Sequence, residues 1–226
     1  MTTLHPFAPR VWTANADHNM FGLALGARMT VVQQPGGSLW IHSPIALTPE
    51  LRAEVDALGP VGIVVAPNAF HHVYVADWVR AFPEARLVGA AALVSKRKDL
   101  NFQGVLGQDL TFEGLRQQHI AGSLLDETVF LHEASGTLIN CDLFENFQTC
   151  DHGLTRFYLK MGGVYGKPGL HPVIRLVYRD RAAARKGVAE VLNWDFDRVV
   201  ISHGDCVTED AQAVTRDGMR WLMGEG

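Results

Sequence analysis

The chain has 226 residues, 47% of them hydrophobic and 19% charged, with a formal net charge of −4. That length can bury a substantial core, and the small negative charge argues against nucleic acid as the main partner. No apolar run is long enough to span a membrane, and Met1–Pro6 lacks the basic start and apolar core of a signal peptide. The cysteines Cys141, Cys150 and Cys206 are odd in number and lack Cys-x-x-Cys spacing, so they read as reduced thiols of a cytoplasmic protein.

Taken in order, the chain opens with short strands. Val11–Ala14 is the first, then Phe21–Leu25 and Arg28–Gln33 bracket a Gly26-Ala27 turn. Pro35-Gly36-Gly37 is a turn signal, and Ser38–Ser43 alternates as its hairpin partner. Thr48 caps a helix with Pro49 at its first position, and Gly59-Pro60 stops it. Val61–Val65 is a β-branched apolar run, the mark of a buried strand. Pro67 breaks it, and helical spacing resumes after His72 through Val73, Ala76 and Val79. Ala85–Ala90 is the next strand, and Ala91–Lys98 is a short helix ending in Lys96-Arg97-Lys98. That basic run reads as a solvated helix end near the negative pole of the dipole, with anion binding as the alternative. Phe102–Gly107 reads as loop.

In the second half, Leu115–Ile120, Thr128–His132 and Thr137–Asp142 are strands, and Ser135-Gly136 is a turn. Phe157–His171, rich in glycine, reads as an irregular cap over the site. Val173–Tyr178 is a strand or the start of the next helix. Asp180–Asn193 is an amphipathic helix, Arg198–Ser202 a third buried strand, and Asp210–Met223 the last helix.

Three separate strands thus end in metal-capable side chains: His71-His72 after the first, Asp142 after the second and His203 after the third. Ligands of open α/β sheets gather at such strand ends, and imidazole with carboxylate suits zinc, iron or manganese.

This arrangement resembles the metallo-β-lactamase superfamily over most of the chain. The family motif His-x-His-x-Asp-His falls on Pro67-Asn68-Ala69-Phe70-His71-His72. His72 matches its last histidine, His71 stands in the aspartate position, and Pro67 and Ala69 replace the two earlier histidines. Leu138–Asp142 looks like the strand supplying the bridging aspartate, and His203-Gly204 like the final motif. The third family histidine has no convincing equivalent, although His119 and His132 lie nearby.

The resemblance implies an α/β fold, a four-layer αββα sandwich, as a single domain over residues 1–226. In a typical two-metal member the missing residues hold the first metal, whereas His71, His72, Asp142 and His203 would surround the second. The expectation is therefore one divalent ion, zinc first, with iron or manganese as alternatives. Asp142 would bind the ion or orient water, which makes it the expected catalytic residue. Asp205 would fix a histidine tautomer or cap the following helix. The function expected is hydrolysis of a small-molecule ester, lactone, amide or phosphoester, since an open metal site can acidify bound water to a pKa of about 7. A second reading is a non-catalytic binding or scaffold protein with an empty or structural metal site, and an oxygen-using or redox metal protein is a third. His42 and His132 read as sheet histidines, Cys141 as a buried thiol, and His152 and His171 as surface residues of the cap. Tyr165 and Lys167 are candidates for a pocket mouth.

Overall fold

The computed structural model describes residues 3–224, so Met1 and Thr2, read above for a signal peptide, lie outside the described residues, as do the last two positions of the expected domain span. The first half of the chain runs β1 (His5–Ala8), β2 (Val11–Ala16), β3 (Asn19–Met20), β4 (Leu23–Ala24), β5 (Ala27–Gln33), β6 (Leu39–His42), α1 (Pro49–Leu58), β7 (Val61–Ala66), α2 (Val75–Ala81), β8 (Arg86–Gly89), α3 (Ala91–Lys96) and β9 (Gly104–Val105). The second half runs β10 (Leu115–His119), β11 (Thr128–His132), β12 (Thr137–Asn140), β13 (Glu145–Asn146), α4 (Gly153–Met161), β14 (Pro168–Gly169), α5 (Pro172–Arg175), α6 (Arg181–Leu192), β15 (Arg198–Ile201) and α7 (Ala211–Met223).

Among the described residues the larger sheet has the order β1-β2-β5-β6-β7-β8-β9 and the smaller β10-β11-β12-β15. The hairpin half of the larger sheet is antiparallel, and from β6 to β9 the strands are parallel. In the smaller sheet only β12 and β15 are parallel, with Ile139 opposite Val200 and Asn140 opposite Ile201.

Side-chain alternation makes the layers, because successive strand residues face opposite sides. Val32, Trp40, Ile63 and Val65 of the larger sheet meet Leu115, Phe130 and Ile139 of the smaller one in a core between the two sheets. Their neighbours Val31, Ile41 and Val64 face outward and pack on Leu51 and Val55 of α1 and Trp78 of α2. On the other outer face, Val129, Leu131, Leu138 and Val199 pack on Val188 and Val191 of α6 and Met219 and Leu222 of α7. Three cores between four layers give the αββα sandwich. Burying a side chain such as Trp78 or Val64 is worth about 1.5–3 kcal/mol, so these faces hold the sheets together.

Local signals place the helices. The Thr48 side chain accepts from Leu51 N, with Pro49 opening α1. Asp180 accepts from Ala182 N and Ala183 N at the start of α6. Four stretches differ from the sequence reading. Phe102–Gly107 contains β9, which extends the sheet beside β8. Part of the expected irregular cap is α4, whose buried Thr155 and Leu159 share one face. Pro172–Arg175 is a short helix of its own, neither a strand nor the start of α6. Phe21–Leu25 is not one strand, because Phe21-Gly22, both at positive φ, form the turn of a two-stranded ribbon between β3 and β4. Among the described residues no helix is long and apolar enough to cross a membrane.

Candidate metal centre

The loop after β7 is shaped by one asparagine. Asn68 is fully buried, and its Oδ1 accepts from Phe70 N at 2.9 Å and His71 N at 3.0 Å. This side-chain turn bends the backbone immediately after Pro67 and directs His71 toward the ends of β12 and β15. His71 Nε2 lies 3.3 Å from Asp142 Oδ2, and His203 Nε2 lies 3.2 Å from Asp142 Oδ1. The donor atoms of His71, Asp142 and His203 all fall within 4.8 Å of one another.

The outer ring nitrogens are already engaged. His203 Nδ1 lies 2.8 Å from the Gly26 carbonyl, to which it donates. His71 Nδ1 is 2.6 Å from Ser43 Oγ, at the end of β6. Both rings therefore turn Nε2 inward; the Gly26 carbonyl sets the His203 tautomer, and Ser43 holds the orientation of the His71 ring, as outer partners do for metal-binding histidines. Two ligands at about 2.0–2.1 Å from a tetrahedral ion sit about 3.3 Å apart; the two imidazole–carboxylate separations have that length, each to a different oxygen of Asp142. Two imidazoles and a carboxylate gathered within 4.8 Å thus fit one divalent ion. Two histidines and a carboxylate suit zinc and also iron.

Asp142 is held from both sides. Asn68 Nδ2 donates to its Oδ2 at 2.7 Å, and its backbone N donates to Glu127 Oε2 at 2.8 Å. Glu127, itself buried, also accepts from Cys141 N at 2.8 Å. Burial, then the charge of Asp142, pushes Glu127 up to about 8. Burial also acts to raise Asp142, but His71 and His203 outweigh it and hold that carboxyl well below its ordinary range. Burial opposes protonation of His203, yet the hydrogen bond and charge of Asp142 prevail and push it up to about 9. Glu145 is buried with Oε2 unpartnered among the described residues, and burial pushes it up to about 7.

His72, expected beside the other ligands, lies outside the cluster. The loop turns between the two neighbours, and His72 Nδ1 lies 3.0 Å from Arg97 Nη1. Asp205, expected against a histidine ring, instead accepts from Gln148 N at 3.0 Å. It does not cap α7 either, because Asp210 occupies that position. His152 and His171 each accept a backbone N–H at a helix start, α4 and α5 respectively. His132 pairs with Ser135, while His42 stacks on Trp40 in the inter-sheet core. Cys141 is buried and accepts from Ser202 Oγ. Tyr165 lies beneath Lys160, and Lys167 is exposed.

Three participants went unnoticed in the sequence. Asn68 and Glu127 have only position as a signal, one beside Pro67 and the other before a strand. The third is His18, in the loop after β2. Burial lowers its pKa first, and the nearby charges of His203 and His71 lower it further. Beside His203 a cleft of about 510 Å³ is lined by Asn15, Asp17, Arg28, Ser202, Gly204 and Asp205, but not by the three donors themselves.

Residues 8–95, less than half of the chain, match the family described as "Domain of unknown function (DUF4336)". A search of curated proteins finds no match. Among solved structures, a metallo-β-lactamase from Pontibacter korlensis is similar with a TM-score of 0.67 and 13% identity, covering 100% of both chains. One from Hirschia baltica gives a TM-score of 0.66 at 12% identity, over 98% of this chain and 97% of that one. The metallo-β-lactamase FIM-1 from Pseudomonas aeruginosa, in its mono-zinc form, gives 0.65 at 14% identity, over 99% of this chain and 95% of that one. The chain has the metallo-β-lactamase fold.

Proposed function

We propose that this chain is a metal-dependent hydrolase that uses a single divalent ion, zinc first, held by His71, Asp142 and His203. The observation carrying the reading is the convergence of three donors from three strand ends at metal-ligand spacing, with both outer ring nitrogens engaged. When bound in an open site, such an ion polarises a carbonyl or phosphoryl oxygen and brings water to a pKa of about 7. The protein's own part is positional. Ser43 and Gly26 fix the ring orientations, and Asn68 and Glu127 hold Asp142. The substrate class is an ester, lactone, amide or phosphoester. Iron or manganese in the same donors is the variant reading of the cofactor.

A non-catalytic binding protein of the same fold is the competing reading. It is favoured by Pro67 and Ala69, which offer no ligand where the family motif has histidines. Metal analysis of protein purified without added metal, followed by turnover of generic esters and phosphoesters, separates the two. The hydrolase reading expects roughly one ion per chain and a rate that a chelator abolishes and the ion restores. Bound metal without any turnover across those substrates would favour the binding protein, and absence of metal would sink the site itself.

A further inference from the structure

The basic run after β8 and the displaced histidine belong together. His72 Nδ1 is 3.0 Å from Arg97 Nη1, and His72 Nε2 is 3.5 Å from Lys96 Nζ. A neutral imidazole has one N–H and one acceptor, and a cationic one has two N–H groups. In every case at least one N–H of His72 therefore points at a cation. Asp99 relieves only part of this crowding. It takes Arg97 Nε at 2.8 Å and Nη2 at 2.7 Å, which leaves Nη1 facing the ring. Among the described residues Lys96 has no carboxylate partner, so three cations, Lys96, Arg97 and Lys98, stand against the single carboxylate of Asp99. A solvated helix end would let these side chains spread into water. Here two of them converge on a ring that cannot accept from both.

We propose that Lys96, Arg97 and His72 form a subsite for an oxyanion, carboxylate or phosphate, and that it anchors the anionic end of the substrate beside the metal centre. An oxyanion supplies the acceptors that this cluster lacks: one oxygen for the ammonium, one for the ring N–H and one for Arg97 Nη1. Charge-assisted bonds of this kind are about twice as strong as neutral ones. Placement gives the subsite its meaning, because His72 directly follows His71, and adjacent Cα atoms are about 3.8 Å apart. The loop that presents His71 to the proposed metal centre thus also presents His72 to this cluster. The anchoring role rests on the hydrolase reading, whereas oxyanion binding does not.

The test begins with chelator-treated protein. Inorganic phosphate and acetate are titrated separately at constant ionic strength set by chloride, and NMR follows the Arg97 Nε–H and the His72 backbone amide. Saturable shifts are expected, weakened about tenfold or more in Lys96→Ala and in Arg97→Gln. They should persist in Lys98→Ala, which removes a like charge without removing a donor, and in His71→Ala, which removes a proposed metal ligand. The stronger of the phosphate and acetate responses identifies the anion class. Non-saturating drift, equal weakening by Lys98→Ala, or unchanged binding in Lys96→Ala would overturn the subsite. With metal restored, Lys96→Ala should raise KM about tenfold more for a carboxylate-bearing ester than for its neutral methyl ester. Loss of all turnover in the wild type alongside intact phosphate binding would reject the hydrolase reading and leave the oxyanion site standing. Equal KM changes for the two esters would reject the anchoring role.

Discussion

Two parts of one end of the sandwich, where strands of both sheets finish, are built differently. At the ends of β12 and β15, Asp142 and His203 meet His71 as side-chain donors within 4.8 Å. At the other side, around Pro67 and Ala69, the main chain itself is joined. Thr128 N donates to Pro67 O at 3.0 Å, and Ala69 N donates to Leu125 O at 2.9 Å. Asn68 spans the two, reaching Asp142 at 2.7 Å and Glu127 at 3.5 Å. The contrast separates two tasks, supplying donors and holding them in place. The first side supplies donors, while the second uses hydrogen bonds to hold the loop and Asp142.

The sharpest way to break this comparison is to remove a donor. His203→Ala or His71→Ala should reduce bound metal from roughly one ion per chain to background, measured by elemental analysis. His72→Ala should leave the content unchanged. Equal loss in all three would mean that the neighbouring histidines do the same work.

Removing the positional side should act on stability instead. Glu127→Ala strands the buried N–H groups of Cys141 and Asp142 and should cost about 2–5 kcal/mol in denaturant unfolding. A change within experimental error would show that the network does not hold the strand end.

His42 probes the ground behind the triad. It is buried against Trp40 and Phe130 with both nitrogens unpartnered among the described residues. Burial, then the charge of His71, lowers it to about 3. The unfolded chain therefore takes up this proton first as pH falls from about 6.5, and stability drops across the window down to about 3. That term amounts to about 3 kcal/mol at about pH 4.5. His42→Phe should flatten the acid limb of Tm against pH, and an unchanged limb would count against an uncharged His42 in the fold.

Ser43→Ala is the mildest of these changes. It frees His71 Nδ1 without removing a donor to the metal, and should weaken metal affinity about 10–100-fold in chelator competition. No change would mean that packing alone orients the ring.

Much of this architecture was readable from local chemistry. Val61–Val65 announced a buried strand, and Thr48-Pro49 marked the start of α1. The ends of three strands carried the residues that meet. The direction of His72 was not readable, because in a loop the aim of two successive side chains depends on the backbone turn. Asn68 sets that turn through bonds to Phe70 N and His71 N. Glu127 was hidden for a related reason. An acid before a strand looks exposed until distant residues 141 and 142 bring their N–H groups to it. The helix α4 was obscured by Gly162-Gly163, which ends it but dominates the composition of the stretch. His18 approaches the triad only through tertiary folding.

The two histidine anchors differ in how they would withstand mutation. His203 is oriented by the carbonyl of Gly26, an atom that every amino acid carries. Gly26 stands at φ 65°, where a side chain strains the backbone, so an exchange there keeps the acceptor but displaces it. His71 relies on the hydroxyl of Ser43, which a single replacement removes. Drift in the sequence should therefore reach the two halves of the centre differently, deleting the partner of His71 outright but only displacing that of His203.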